Sequence, residues 1–253
     1  MPPPAPLTDL PLDRRWALFL DFDGTLVDIA PRPDAVRVAD GLPDLLAELG
    51  ARLGGALALV SGRPIAELDR FLAPALLPAG GQHGLEWRDA DGARHEAEID
   101  RAALAEIRAE LEAFVEDAPG TRLEAKSMSV ALHYRQAPEF EAAALEVVER
   151  LATRYAEGFH VQGGKMVLEV KPRGADKGTV VERFLAAPPF AGRVPVYVGD
   201  DLTDEHGFVA VEGRGGIAIQ VGAREPTVAR WRTPTVGDLH LWLGSLAAHL
   251  RES

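Results

Sequence analysis

Asp21-Phe22-Asp23-Gly24-Thr25 follows directly on the apolar run Trp16-Ala17-Leu18-Phe19-Leu20. Two carboxylates two residues apart at the end of a buried strand are costly to desolvate and call for a cation or a chemical task. Gly24 allows a tight turn and close backbone approach, and Thr25 offers a hydroxyl to a bound anion. For an isolated Asp-Gly, an Asx turn closing a strand would suffice. Here a second acidic cluster needs the same explanation: Gly199-Asp200-Asp201-Leu202-Thr203-Asp204-Glu205 follows the apolar run Val194-Pro195-Val196-Tyr197-Val198. Two strand ends loaded with aspartate point to one shared metal site.

Four short apolar runs read as buried parallel strands: Ala17 to Leu20, Ala56 to Val60, Val194 to Val198 and Gly216 to Val221. Helical patterns separate them, at Leu42 to Leu53, Ile65 to Phe71 and Gly178 to Leu185. This alternation predicts an α/β fold with a doubly wound, Rossmann-like parallel sheet and function at the carboxyl ends of its strands. The middle third breaks the pattern. It reads as a helix (Ala102 to Glu116), two alternating strands (about Thr121 to Lys126 and Ser129 to Tyr134), a second helix (about Glu139 to Tyr155) and two more strands (about Phe159 to Gln162 and Met166 to Val170). Gly163-Gly164 signals the last hairpin turn, with Lys165 as a solvated turn residue. The expected organisation is a disordered Pro-rich tail (1–13), a catalytic core (14–99 and 171–253) and an inserted α-β-β-α-β-β cap (100–170).

Bulk properties narrow the function. The 253 residues, 47% apolar and 26% charged, suit a globular protein with a full core. A formal net charge of −12 argues against nucleic acid or an anionic membrane as partner. Cysteine is absent, which excludes disulfides, thiolate metal sites and thiol nucleophiles. No run is long enough to cross a bilayer, and Met1-Pro2-Pro3-Pro4-Ala5-Pro6 has neither a basic start nor an apolar signal core, so a cytoplasmic location is expected; the expected assembly is a monomer with a small-molecule substrate. Lysine is scarce: Lys126, Lys165, Lys171 and Lys177 are the only four among 27 basic residues.

The element boundaries carry four signals. Besides the two aspartate clusters, Val60-Ser61-Gly62-Arg63-Pro64 sets a hydroxyl and backbone N–H groups at a helix start, and Asp176-Lys177-Gly178-Thr179 sets an ammonium at another. Asp21 and Asp200 would repel across a small site, so a hard divalent cation is required, and oxygen-only ligands favour Mg²⁺ over zinc. Thr25, Ser61, Gly62 and Lys177 can hold phosphate oxygens. A carboxylate facing a neutralised phosphorus can act as nucleophile, and a second two residues later can move the proton. The reaction class is phosphoryl transfer through a covalent intermediate.

After residue 14 the set resembles the haloacid dehalogenase-like phosphatase superfamily. That resemblance implies Asp21 as nucleophile, Asp23 as general acid/base, and Mg²⁺ held by Asp21, the Asp23 backbone carbonyl and Asp200. Of Asp201 and Asp204, one would lie in the outer shell of the metal and the other would cap the following helix. Gly199 to Glu205, Val60 to Pro64, Gly81-Gln82-His83-Gly84, Glu124-Ala125-Lys126 with His133-Tyr134-Arg135, and Leu168 to Pro172 resemble trehalose-6-phosphate phosphatases more closely. The resemblance implies that His83 lines the site mouth and that Glu124, Lys126 and Glu169 meet the sugar hydroxyls. Glu124 and Lys126, two apart on a strand, also fit a plain solvated face. His133 reads equally as a satisfied strand residue, and Arg63 as a phosphate ligand or the partner of an acidic neighbour. Trp231 and Trp242 read as packing. The expected activity is Mg²⁺-dependent hydrolysis of trehalose 6-phosphate through an aspartyl-phosphate. The alternatives are another sugar phosphate (of sucrose, or glucosyl- or mannosyl-glycerate), a non-catalytic sugar-phosphate sensor, or a mutase.

Overall fold

The computed structural model describes residues 4–30, 32, 35–164 and 166–252. In chain order the elements are β1 (Ala5–Pro6), β2 (Trp16–Leu20), α1 (Leu42–Arg52), β3 (Leu57–Val60), α2 (Ile65–Leu72), β4 (Ala79–Gly81), β5 (Glu86–Arg88), β6 (Arg94–Glu96), α3 (Arg101–Asp117), β7 (Arg122–Ala125), β8 (Val130–His133), α4 (Glu141–Arg154), β9 (Phe159–Gly164), β10 (Val167–Pro172), α5 (Lys177–Leu185), β11 (Val194–Gly199), α6 (Asp204–Glu212), β12 (Ile217–Val221), β13 (Trp231–Thr233) and α7 (Val236–Glu252). They fall into two compact units, one running to Glu96 and resuming at Ala175, the other Ala97–Gly174.

The larger unit holds a nine-stranded sheet in the order β1-β13-β12-β11-β2-β3-β4-β5-β6. It is parallel from β1 to β4 and ends in the antiparallel pair β5 and β6. All five residues of β2 are buried, which is why that strand reads as an unbroken apolar run. The chain leaves β2 for β3 on one side and later returns to β11 on the other, so the carboxyl end of β2 is a topological switch point. Phe19 stacks on Phe190 beneath α5, and Trp242 of α7 stacks on Trp16 at 5.8 Å between centroids. Trp242 therefore packs as expected, while Trp231 lies half-buried in β13.

The smaller unit is an antiparallel sheet in the order β7-β8-β10-β9. Ile107 and Leu111 of α3, with Val148 and Leu151 of α4, share one apolar core with Leu132, Phe159 and Val170 of the sheet.

Three expectations need revision. Residues 1–13 do not form a disordered tail throughout: Ala5–Pro6 pairs with β13, and Leu7 and Leu10 are buried in the main core. Residues 1–3 lie outside the described residues. Gly163 and Gly164 are not the hairpin turn but the end of β9, paired with Leu168 and Val167. Lys165 is outside the described residues. Lastly, β1, β4, β5, β6 and β13, each of three residues or fewer, extend the sheet on both sides beyond the four strands that the sequence pattern marks.

Candidate active site

Asp21 is the first residue after β2, and its backbone N–H still donates to the Val198 carbonyl of β11 at 3.0 Å. It thus sits in the switch-point crevice, 3% exposed. Lys177 opens α5, where Asp176 and Thr179 close a reciprocal capping box that fixes the first turn. The buried Lys177 Nζ donates to Asp21 Oδ1 at 2.8 Å and to Asp204 Oδ1 at 2.6 Å. Asp204, fully buried, accepts two further bonds on Oδ2 from the N–H groups of Asp200 and Asp201, both 3.0 Å, and one on Oδ1 from the Tyr197 hydroxyl at 2.8 Å. Each oxygen takes two hydrogen bonds, which fills the four acceptor positions of a carboxylate. Asp201 caps instead: its Oδ1 accepts from the N–H of Thr203 (2.8 Å) and of Asp204 (3.2 Å) at the start of α6, and the same oxygen lies 3.9 Å from Lys177 Nζ.

Asp200 closes on the site from β11. Gly24 has φ +79°, and a Cβ there would lie 2.2 Å from Asp200 Oδ2. Only glycine allows this approach. The buried Thr25 hydroxyl donates to Asp200 Oδ1 at a long 3.4 Å. Oxygens of Asp21, Asp200 and Asp204 lie within 4.8 Å of one another. Burial pushes Asp21 well above the usual carboxylate range, with Asp204 and Asp200 adding to the rise and Lys177 opposing it. Asp200 is pushed up to about 7 by burial and by the charges of Asp204 and Asp201. Burial works against the Lys177 ammonium, but Asp21, Asp204 and Asp201 outweigh it and raise its pKa. This crevice carries more negative than positive charge. A cation bound by oxygen ligands would relieve the imbalance, so the donor set fits a hard divalent ion. Because Asp204 is saturated, the carboxylates left to hold such an ion are Asp21 and Asp200.

Asp23 faces away from this cluster. Its carboxylate receives a bidentate fork from Arg63, Nε to Oδ2 at 2.6 Å and Nη2 to Oδ1 at 2.8 Å. Ser61, 1% exposed, accepts the Arg63 backbone N–H on Oγ at 3.2 Å. Gly62 is pressed against His83: a Cβ at Gly62 would meet His83 Nε2 at 2.6 Å. His83 itself has φ +57° in the short 3₁₀ turn after β4. The structure therefore joins Asp21, Thr25, Lys177, Asp200 and Asp204 in one network, and Asp23 and Ser61 in another through Arg63. Two participants escaped the sequence reading. The Tyr197 hydroxyl was hidden in an apolar run, although a buried tyrosine hydroxyl needs a partner. Glu86 binds the N–H of Ile65 at the start of α2 and the side chain of Gln82.

In the smaller unit, Glu124 and Glu169 both pair with Ala131 of β8 from opposite sides, so the three share a row on one face of the sheet. Lys126 Nζ donates to Glu169 Oε1 at 2.9 Å, and the Ser129 hydroxyl to the same oxygen at 2.6 Å. His133 Nε2 lies 2.8 Å from Glu124 Oε2. The face opposite the helices is thus polar and preorganised, with a small alanine between its two glutamates.

A mostly parallel α/β core with aspartates at the switch point, and a separate small antiparallel sheet, is the haloacid dehalogenase-like fold. A Bacteroides thetaiotaomicron protein described among the phosphatases of the haloalkanoate (HAD) superfamily shares this fold, with TM-score 0.63 at 16% identity over 92% of this chain and 94% of that one. The family model for trehalose-phosphatase matches residues 19–236. The trehalose-6-phosphate phosphatase of Escherichia coli is 42% identical over 98% of this chain and 92% of its own length. The structure of Aspergillus fumigatus trehalose-6-phosphate phosphatase superposes with TM-score 0.73 at 27% identity, covering 93% of each chain. The chain belongs to the trehalose-phosphatase family.

Proposed function

We propose that this chain hydrolyses trehalose 6-phosphate to trehalose and phosphate through an aspartyl-phosphate on Asp21, with Mg²⁺ as cofactor. The observation that carries the reading is the buried Asp21 carboxylate, held by Lys177 at 2.8 Å beside Asp200. Asp21 and Asp200, with the Asp23 backbone carbonyl, are the proposed holders of Mg²⁺, which when bound would neutralise charge on the transferring phosphoryl group. Lys177, Thr25, Ser61 and the Gly62 N–H would bind the phosphate oxygens. Asp21 attacks phosphorus while Asp23 gives a proton to the leaving sugar oxygen. Asp23 then takes a proton from water, whose oxygen displaces Asp21 from phosphorus and restores its carboxylate. Glu124, Lys126 and Glu169 are the proposed contacts for the sugar hydroxyls, and His83 is assigned to the substrate as well.

The relatives named trehalose-6-phosphate phosphatase support the choice of sugar. A panel of sugar phosphates, assayed for phosphate release with Mg²⁺ and with chelator, tests it. Trehalose 6-phosphate hydrolysed no faster than glucose 6-phosphate would refute the substrate, and undiminished turnover in chelator would refute the metal. A monomeric, cytoplasmic enzyme belongs to the same reading, and light scattering and cell fractionation test those two points. Among the described residues no helix is long and apolar enough to cross a membrane.

A further inference from the structure

β3 and β4 end side by side, and their backbone hydrogen bonding continues past both strands. Ser61 N–H donates to the Gly80 carbonyl at 2.9 Å, Gln82 N–H to the Arg63 carbonyl at 3.0 Å, and His83 N–H to the Ser61 carbonyl at 3.0 Å. The last of these bonds sets a direction. A trans peptide is planar, with its carbonyl and N–H pointing opposite ways, so holding the Ser61 carbonyl aims the Gly62 N–H away from His83. That N–H donates to no group among the described residues. The turn that supplies the two donors is strained: Gln82 has φ +49° and His83 φ +57°. Residues with a Cβ disfavour this left-handed region, and two in succession persist only where the surroundings hold them there.

Glu86 supplies the hold. From the first position of β5, its Oε1 accepts the N–H of Ile65 at 2.9 Å and the side-chain amide of Gln82 at 3.2 Å. One oxygen therefore joins the left-handed turn to the first residue of α2, the helix into which the Ser61–Pro64 loop runs. The parts are close-packed. A Cβ at Gly81 would lie 2.8 Å from Glu86 Oε1 and 2.9 Å from the Arg63 carbonyl oxygen, and one at Gly62 would lie 2.6 Å from His83 Nε2. Two roles are open to such a carboxylate. A plain helix cap needs only the bond to Ile65. The bond to Gln82 serves the turn instead, and through it the carbonyls of Ser61 and Arg63.

We propose that Glu86 is a positioning residue for phosphate binding: by locking the Gln82–His83 turn it fixes the Ser61–Gly62 peptide plane, so that the Gly62 N–H stays aimed at a phosphate oxygen. The inference rests on the reading of Ser61 and Gly62 as phosphate binders. In this role Glu86 contacts no substrate atom and exchanges no proton. Phosphate oxygens are held both before and during the reaction, so a slack loop weakens ground state and transition state alike. The loss then falls on KM and on the affinity for inorganic phosphate, and not on kcat.

The test compares the wild type, Glu86→Ala, Glu86→Gln, Gln82→Met and Ser61→Ala in steady-state kinetics with trehalose 6-phosphate and Mg²⁺, in inhibition by inorganic phosphate, and in thermal unfolding. For Glu86→Ala, KM and the phosphate inhibition constant should rise together by about tenfold, the worth of one weakened hydrogen bond to an anion, while kcat changes far less. Glu86→Gln keeps an oxygen for both donors and should bring both constants back close to the wild type. Gln82→Met keeps the length of the side chain and the bond to Ile65 but cuts the link to the turn. It should raise the same two constants without loss of the α2 cap, and it decides the matter if Glu86→Ala fails to fold. A lower Tm in Glu86→Ala with both constants unchanged would make Glu86 a helix cap alone and overturn the proposal. So would a fall in kcat at constant KM, or a Gln82→Met variant that binds phosphate as the wild type does. Glu86→Gln as impaired as Glu86→Ala would overturn the acceptor role. Wild-type KM and phosphate inhibition in Ser61→Ala would instead refute the reading of the loop as a phosphate site.

Discussion

Asp204→Asn is the most informative single change, because it removes one charge and alters no volume. The Asp204 side chain joins four donors: Lys177 Nζ at 2.6 Å and the Tyr197 hydroxyl at 2.8 Å on Oδ1, and the N–H groups of Asp200 and Asp201, both 3.0 Å, on Oδ2. An asparagine amide has one oxygen and one NH₂, so it can serve only one pair. With its oxygen toward Lys177 and Tyr197, two buried N–H groups would be orphaned at about 1–3 kcal/mol each. With its oxygen toward the backbone pair, the tyrosine hydroxyl can rotate to accept, and the loss is the charge-assisted bond to Lys177. That second orientation costs less. Lys177 keeps Asp21 at 2.8 Å, which holds the penalty below the 3–5 kcal/mol typical of a broken buried pair. The expected destabilisation is about 2–3 kcal/mol, a fall of roughly 4–12 °C in Tm for a chain of this size. Thermal unfolding in chelator reads it without the contribution of bound metal. Because the Asp204 oxygens are saturated, its replacement should shift the Mg²⁺ activation constant far less than Asp200→Asn does. A variant as stable as the wild type, or one that loses Mg²⁺ as completely as Asp200→Asn, would refute the assignment of Asp204 as a structural hub.

The metal-free protein should show the cost of crowding carboxylates. Asp200 has its pKa raised from 3.8 to about 7, so the folded state holds more protons than the unfolded state across that window, and stability falls as pH rises through it. The ceiling is about 4 kcal/mol, from roughly three pK units at about 1.4 kcal/mol each. In chelator, the wild type should therefore lose Tm relative to Asp200→Asn between pH 4 and 7, and a relative gain would contradict the sign. Gly24→Ala should cost about 1–2 kcal/mol for its left-handed φ and displace Asp200 from a 2.2 Å clash. Its Mg²⁺ activation constant should rise at least about tenfold, since both effects fall on a metal-holding carboxylate. An unchanged constant would show that Asp200 is not needed there. Buried Arg88 donates to the Leu77 carbonyl at 2.6 and 3.0 Å and in a fork to Asp69, both 2.8 Å, remote from the aspartate cluster. Arg88→Met should therefore lower stability by about 2–4 kcal/mol with kcat unchanged, and a kcat loss at full stability would contradict a purely structural role.

The sequence makes some of this site legible, and the reason is physical. A buried strand must be apolar along its whole length, so the point where Leu20 gives way to Asp21, or Val198 to Gly199-Asp200, is marked by a change in polarity visible without coordinates. Catalytic charge collects at such points because the carboxyl ends of parallel strands share one edge. The same reasoning fails at β5 and β6. Glu86-Trp87-Arg88 and Arg94-His95-Glu96 alternate too briefly and carry too many charges to stand out, and their pairing depends on an edge that β4 supplies. It fails at Ala5–Pro6 too, since a polyproline-like composition hides a backbone ladder to a strand more than 200 residues away. Within the site, composition names the charges but not their pairs. Asp201 and Asp204 occupy one short loop and helix start. What separates them is direction: Asp201 turns back onto the α6 N-terminus, and Asp204 turns inward to Lys177 and Tyr197. Arg63 shows the same limit from the cationic side. The Ser-Gly-Arg phrase allows either a phosphate or a carboxylate partner, and the choice is made by Phe22, Phe71 and Glu67, which the fold brings to the guanidinium from two separate segments of the chain.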